Sequence, residues 1–391
     1  VPNAHKPWNV RNVRNVLSVH SRRPDPNARS VRSVLSKTEP FDRRVTGWNT
    51  RSMRKILCTV FVATLFCRTA FAEEVDLTFI TAWNRSIEFA QDVNEHFVAP
   101  FNERARGIAR IRYLGGPEVI PQRQMVYALR RGVVDMYFGA ATYMLGLAPE
   151  ADAFLAASVT PTEARANGGF DAIQGIWQTK LNAYFLGWHQ TGPKLHIFTK
   201  TEPVLRATGL PELTTQRIRT TPTYRAFLDS VGTIPIDIPS GEVYTALERG
   251  TVDAIAWTST SMSDQGFQKF VKYRIDPGVL GLVMTLQMNL DRWRGLPADV
   301  RALLLSESLR YESGSRTRFL KIQEDEKARL ANDGMTFFEL PAEAAPVYTQ
   351  RASDAVWARM ARQVPDAPAR LKPLFDPRKI VEPAMPSRPG S

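Results

Sequence analysis

Residues 214–257, TTQRIRTTPTYRAFLDSVGTIPIDIPSGEVYTALERGTVDAIAW, carry strand and helix signals in strict alternation, an order that few folds can accommodate. Gln216–Thr220 reads as a short strand. Thr221 stands where a helix cap belongs, Pro222 suits the first helical position and Gly232 marks the end, so the side bearing Ala226, Leu228 and Val231 is predicted to pack on a sheet. Thr233–Ile238 returns as a strand. Ser240 then caps a second helix, apolar at Val243, Ala246 and Leu247 and closed by Gly250, and Val252–Trp257 is the third strand. Right-handed crossovers make the strands of such a β-α-β-α-β unit parallel, and ligands of open parallel sheets bind in the crevice beyond the strands' carboxyl ends. Arg219 and Trp257 both lie at such ends, which makes them candidate site residues.

An echo of this stretch occurs earlier in the chain. Residues 126–135 read VYALRRGVVD and residues 243–253 read VYTALERGTVD, the same helix–Gly–strand unit with one residue inserted. Either one helix end recurs by chance, or the chain holds two similar α/β lobes. On the second reading the lobes face each other, and Phe138–Tyr143 takes in the first the place that Trp257 has in the second.

The formal net charge of +12 is not spread over the chain. Residues 1–72 hold fourteen Lys/Arg against three Asp/Glu, whereas residues 73–391 hold 37 against 36. The folded part therefore has no basic stripe with interleaved aromatics, and nucleic acid is excluded as its partner. From Met53, MRKILCTVFVATLFCRTAFA has a basic start, an apolar run Ile56–Phe66 and a small-x-small site ending at Ala72. That pattern predicts a secretory signal over 53–72, too short for a bilayer span of ~20 residues; a buried helix is the alternative. Residues 1–52, rich in Arg, Asn, Ser and Pro, are predicted not to fold, and they precede Met53 either as a mis-assigned start or as a basic extension. Both cysteines, Cys58 and Cys67, fall inside the signal, so the exported chain has no disulfide, thiolate metal site or cysteine nucleophile.

After Ala72, Glu74–Trp83 is predicted as a strand, Ser86–Arg106 as a helix kinked at Pro100, Ala109–Leu114 as a strand, Gln122–Arg131 as a helix and Val133–Phe138 as a strand. Pro161–Ala172 reads as a helix broken at Gly168-Gly169, followed by strands Gln178–Gly187 and Leu195–Thr199 with 188–193 crossing between lobes. Val279–Asn289 is a strand returning to the first lobe. A long helix from Ala298 to about Asp333, with Glu307, Arg310, Arg316, Arg318 and Lys321 on an outer charged face, is long enough at ~1.5 Å per residue to brace both lobes. Strand Met335–Leu340, helix Ala345–Gln363 and a Pro-rich, loosely held tail 364–391 complete the chain. The lobes would then comprise 73–192 with 283–322, and 193–282 with 323–363.

Phosphate loops, zinc signatures and nucleophile elbows are absent from the sequence, and the three histidines beyond the signal, His96, His189 and His196, show no metal spacing and no obvious Ser or Asp partner. No catalytic residue, metal or cofactor is predicted, so the chain is not read as an enzyme. Arg219 is the informative cation. A guanidinium at a strand end facing a cleft can hold a carboxylate by two parallel charge-assisted bonds, which a lysine cannot reproduce. The alternative is an arginine paired to a structural carboxylate, and position alone does not choose between them.

The run QRIR…VGTIPIDIPSGEVYTALERGTVDA resembles the signature of the substrate-binding subunit of tripartite ATP-independent periplasmic (TRAP) transporters, the DctP family. A looser likeness, including YLGGPE, RGVVDMYFG and the Leu-Pro helix start, covers most of 73–340. The resemblance implies an α/β, two-lobed periplasmic-binding-protein-like fold (type II), its parallel-sheet lobes joined by crossing strands and a long bracing helix and closing on a small organic acid. It places the family's carboxylate-binding arginine on Arg219 and a second basic ligand near Lys194. Trp257 stands where sialic-acid-binding members have Asn, which argues against a sialic acid; the first-lobe wall would come from Trp83, Glu118, Phe138 and Tyr143. Glu242 and Asp253 read as structural.

The implied function is a periplasmic solute-binding protein that delivers a carboxylate to an ion-coupled permease built of small and large membrane subunits. It would act as a monomer, with a dimer as the alternative, and need no cofactor. The opposing readings are an enzyme, which would need a nucleophile or metal, and a ligand sensor, which would need a signalling domain or membrane helix after residue 73. Export is expected to remove residues up to Ala72. Amino-terminal sequencing of periplasmic material then begins at Glu73, and a mature chain starting before Met53 would overturn that expectation.

Overall fold

A computed structural model describes residues 74–378. The expected extension, the signal and both cysteines lie outside the described residues, as does the end of the tail from 379. Among the described residues no helix is long and apolar enough to cross a membrane.

Among the described residues eleven strands form two mixed sheets. They are β1 (Val75–Thr81), β2 (Ala109–Gly115), β3 (Met136–Ala140), β4 (Ala183–His189), β5 (Leu195–Thr199) and β6 (Arg217–Thr220). Then come β7 (Ile234–Asp237), β8 (Ala254–Thr258), β9 (Tyr273–Asp276), β10 (Met284–Asn289) and β11 (Thr336–Glu339). The first sheet has the order β2-β1-β3-β10-β4 and the second β7-β6-β8-β5-β9-β11. In each, three parallel strands formed by successive crossovers are followed by one antiparallel strand, β10 or β5. The expected β-α-β-α-β unit is thus present in both lobes, and the strands that carry the chain between lobes are the antiparallel ones. The crossings themselves lie side by side. Lys194 bridges Gly281, and the Leu195 and Leu282 amides donate to Leu280 O and Pro193 O at 3.0 and 2.8 Å.

The echo is structural at the level of single hydrogen bonds. Helices Met125–Arg130 and Val243–Glu248 both end on a left-handed glycine, Gly132 at φ 69° and Gly250 at φ 67°. The amides of Val133 and Thr251 then reach back to Ala128 O and Ala246 O, each at 2.9 Å. The aspartate that follows does the same work twice, since Asp135 accepts from the Thr78 amide of β1 and Asp253 from the Arg217 amide of β6, each strand being next to an edge strand of its sheet. Asp253 also holds the Arg217 guanidinium, in keeping with the structural role read for it.

The long helix is Ala298–Asn332. Its charges are not all on an outer face, as expected, because the helix is covered on more than one side. Glu307 is fully buried between Arg104 and Arg310, Glu312 accepts two bonds from Arg165, and Glu326 is buried beneath Arg329. The Ser86–Arg106 segment runs as α-helix Glu88–Val93, a wider turn Asn94–Val98 and α-helix Ala99–Arg104. Pro100 lacks the N–H that would bond His96 O, and Arg310 donates to that carbonyl at 2.5 Å instead.

Three local expectations are corrected. Residues 177–181 are a helical turn, and β4 begins only at Ala183, after Asn182 takes φ 48°. Strand β9 and the short helix Leu290–Arg294 carried no signal that was read. In the tail expected to be loose, Ala367–Phe375 is a helix that buries Ala367, Leu371 and Phe375, residues spaced four apart on one face. Phe375 stacks edge-on to Phe154 at 5.4 Å, and its carbonyl accepts from the Ser158 amide.

Glu88 couples the first lobe to the 260–264 loop of the second. One of its carboxylate oxygens is buried with no hydrogen-bond partner. Burial pushes its pKa up to about 7 against the pull of the Thr260 and Ser261 hydroxyls, with Asp264 and Glu326 adding to the rise. The folded chain therefore holds a proton here that the unfolded chain, with its carboxyl near 4.5, has released, and this contribution to stability is lost as pH rises through about 7. Glu88→Gln is expected to match the parent near pH 5 and to exceed it near pH 8 by on the order of 1–3 kcal/mol. Denaturant unfolding of both chains at the two pH values checks this.

Candidate functional site

Strand alternation fixes where Arg219 points. On β6 Ile218 enters the main core, so Arg219 projects from the opposite face, the side on which Ile255 and Trp257 of β8 pack. It is 1% exposed. Its Nε donates to Ile238 O, just past the end of β7, at 2.9 Å and its Nη1 to Ala256 O, in the middle of β8, at 3.3 Å, and its guanidinium carbon lies 4.9 Å from the Trp257 ring centre. These contacts hold the fork rigidly, yet among the described residues no carboxylate forms an ion pair with it. Burial draws its pKa below the usual guanidinium value, opposed by Tyr224, Tyr143 and Asp237. Asp237 is itself paired with Arg123 at 2.8 Å.

A cavity of about 50 Å³ opens at this guanidinium, between the carboxyl ends of the two parallel units. Of the expected site residues, Arg219, Trp257, Tyr143 and Trp83 line it. Tyr143 has its pKa pushed up to about 12 by burial, and burial raises that of Tyr224 further, so both phenols are neutral donors beside the arginine. Trp83 and Ser240 also border a wider mouth of about 500 Å³ and so form the sill between the two spaces.

Three expected residues are elsewhere. Phe138 is fully buried against His189 and Tyr311, one step deeper on β3 than Ala140, which does reach the cavity. Lys194 is exposed, and it serves the crossing through its backbone, which bridges Gly281 and accepts from the Ser259 amide. Glu118 is also exposed and folds over its own turn to accept from the Gly116 amide at 2.7 Å. Conversely, Tyr224 and Thr223 were missed, although the rule that ligands gather at strand ends covers the helix Pro222–Ser230 that begins there. Leu155 and Met284 had no local signal. The histidines gain partners that the sequence did not reveal: His196 Nδ1 lies 2.8 Å from Asp276, and His189 Nε2 3.4 Å from Ser308 Oγ. Burial pushes the His189 pKa well below its ordinary value, and neither ring lines the cavity.

Direct bonds cross the mouth and hold the lobes over the cavity. Thr142 and Thr223 share a hydroxyl bond of 2.6 Å, and Arg123 reaches Asp237. Arg359, from the helix Ala344–Gln363, binds both Asp152 oxygens on one side and Pro222 O on the other. Among the described residues no group of three or more potential ligands could hold a metal ion.

Comparison with known proteins agrees with this architecture. Residues 81–363 match the family model described as bacterial extracellular solute-binding protein, family 7. The chain is 24% identical over 213 residues to a monocarboxylate 2-oxoacid-binding periplasmic protein of Nostoc sp., covering 51% of this chain and 56% of that one. It is 33% identical over 135 residues to the C4-dicarboxylate-binding periplasmic protein DctP of Rhodobacter capsulatus, covering 32% of this chain and 38% of that one. The chain thus spans about half the length, or less, of these two relatives. The crystal structure of a TRAP transporter solute-binding protein from Bordetella bronchiseptica, with copurified calcium and picolinate, superposes with a TM-score of 0.67 at 20% identity, covering 78% of this chain and 92% of that one.

Proposed function

The chain belongs to the bacterial extracellular solute-binding proteins of family 7, the DctP family, and from that premise we propose that it captures a small organic acid by its carboxylate and delivers it, in the periplasm, to an ion-coupled TRAP permease. The observation that supports this is Arg219, a buried and rigidly held guanidinium with no carboxylate partner among the described residues, facing a cavity between two lobes. An uncompensated buried charge is costly, and a ligand carboxylate is the partner that would remove that cost.

In this reading the carboxylate takes two donors of the Arg219 fork, the neutral phenols of Tyr143 and Tyr224 add donors beside it, and Trp257 and Trp83 form walls. The lobes 73–192 with 283–322 and 193–282 with 323–363 close about the paired crossings, and the bonds across the mouth, Thr142 to Thr223 and Arg123 to Asp237, form on closure. The closed form is what the permease subunits would recognise. The family is one of solute-binding proteins, so a transport role is preferred to enzymatic turnover.

Arg219→Ala is expected to weaken binding of the identified acid by ~2–5 kcal/mol, roughly 30- to several-thousand-fold in Kd, because the ligand's charge is left unpaired in a desolvated site. Arg219→Lys recovers only part of this, since the ammonium keeps the charge and loses the fork. Titration calorimetry, with the ligand identified by mass spectrometry of natively purified protein and thermal unfolding of each variant as control, decides it. Binding by Arg219→Ala within about threefold of the parent would remove Arg219 as the anchor.

A further inference from the structure

We propose that the acid is a monocarboxylate with an apolar, branched or aromatic body, and that the cavity discriminates against dicarboxylates, polyhydroxy acids and metal-bridged acids. This rests on the reading of Arg219 as carboxylate anchor and adds the chemistry of the rest of the ligand.

Arg219 is the one charged side chain that lines the cavity among the described residues. A second ligand carboxylate would have to find a cation elsewhere, and the nearby candidates are occupied or turned away. Arg123 at the mouth is bound to Asp237, and Lys194 is absent from the wall. No acidic side chain lines the cavity either, so a cation bridging ligand to protein would have no carboxylate to hold it.

Most of the neutral polar groups away from Arg219 have partners in the protein. The Thr142 and Thr223 hydroxyls share a bond, the Thr258 hydroxyl lies 3.4 Å from that of Thr260, Trp257 Nε1 donates to Thr260 O, and the Leu195 and Leu282 amides are taken by Leu280 O and Pro193 O. The Thr221 and Ser240 hydroxyls, which also line the cavity, make no side-chain bond to the described residues. What remains of the wall includes Leu155, Leu195, Leu282, Val283 and Met284, against which a ligand hydroxyl or second carboxylate would be stripped of water without replacement. The hydroxyl donors left for a ligand are those of Tyr143, Tyr224, Thr221 and Ser240. Thr221 directly follows β6 and Ser240 comes soon after Ile238, whose carbonyl holds Arg219, so these donors gather at the Arg219 end, where they suit the carboxylate and a polar substituent next to it.

The test is calorimetry on the full chain and on Arg219→Ala with five probes: 4-methylpentanoate, 4-methyl-2-oxopentanoate, phenylacetate, succinate and gluconate, each with calcium and again with a chelator. At least one of the three apolar acids is expected to bind, with succinate and gluconate ~100-fold or more weaker and the metal without effect. Succinate or gluconate binding within about tenfold of the best apolar acid, and lost in Arg219→Ala, overturns this inference and leaves the carboxylate reading standing. Loss of binding in the chelator overturns it too, as does failure of all three apolar acids to bind below about 1 mM. An apolar acid that binds Arg219→Ala as well as it binds the parent overturns the carboxylate reading itself.

Discussion

Each sheet is completed by a strand that the chain supplies only in passing between lobes, and this exchange governs everything built on it. Strand β5 enters the second sheet directly from the crossing and pairs with β8, while β10 returns to the first and pairs with β3. Because the two crossings are themselves hydrogen-bonded, each lobe's core and the connection between lobes share the same backbone. The parallel units on either side then present their carboxyl ends to one another, and the cavity lies between those ends. A single lobe would have half a wall and no enclosure.

Charge is managed differently at the connection and at the cavity. Near the crossing, Asp92 accepts from Arg318 at 2.6 Å, from Tyr311 at 2.6 Å and from Gln190 at 3.3 Å, while Gln190 sits in a left-handed conformation at φ 51°. Apart from the Gln190 Oε1, which is buried without a partner, that network is satisfied, and its bonds tie the helix to the crossing. The ion pairs of the long helix behave alike, with Glu307, Glu312 and Glu326 each matched to arginine. Against this background of paired charges, Arg219 stands out because its partners are two backbone carbonyls and an aromatic face. Glu88 meets the same burial by keeping its proton, whereas a guanidinium stays charged, so Arg219 faces the cavity as a cation without a carboxylate partner among the described residues.

The architecture was legible because its signals are local. The glycines after two similar helices, Pro222 at a first turn and the alternation of apolar residues along β6 and β8 each act within a few residues and have their expected counterparts. The two expected caps do not: Thr221 makes no side-chain cap bond, and Ser240 is the first residue of a turn, Ser240–Glu242, that precedes the helix it was expected to cap. Arg219 and Trp257 followed from the same information, since a strand end is a place in sequence as well as in space. The misreadings share the opposite property. Phe138 was placed one step too close to the cavity, Glu307 was assigned to solvent though Arg104 covers it from two hundred residues away, and the tail's proline content hid a helix whose burial depends on Phe154.

Glycine stops and period-two alternation in this sequence determined two α/β units of one topology, their parallel strands, and an arginine at the mouth of the second, because those preferences are settled by steric and hydrogen-bonding terms between near neighbours. Tertiary structure alone decided what surrounds that arginine. Leu155, Tyr143, Tyr224 and Met284 come together from four separate segments, while Lys194 and Glu118 are not part of the lining: the Lys194 backbone bridges Gly281 and Glu118 accepts from the Gly116 amide. Which side chains meet across such separations depends on packing the whole chain at once, so the sequence showed Arg219 and Trp257 at strand ends but not the rest of the cavity's lining.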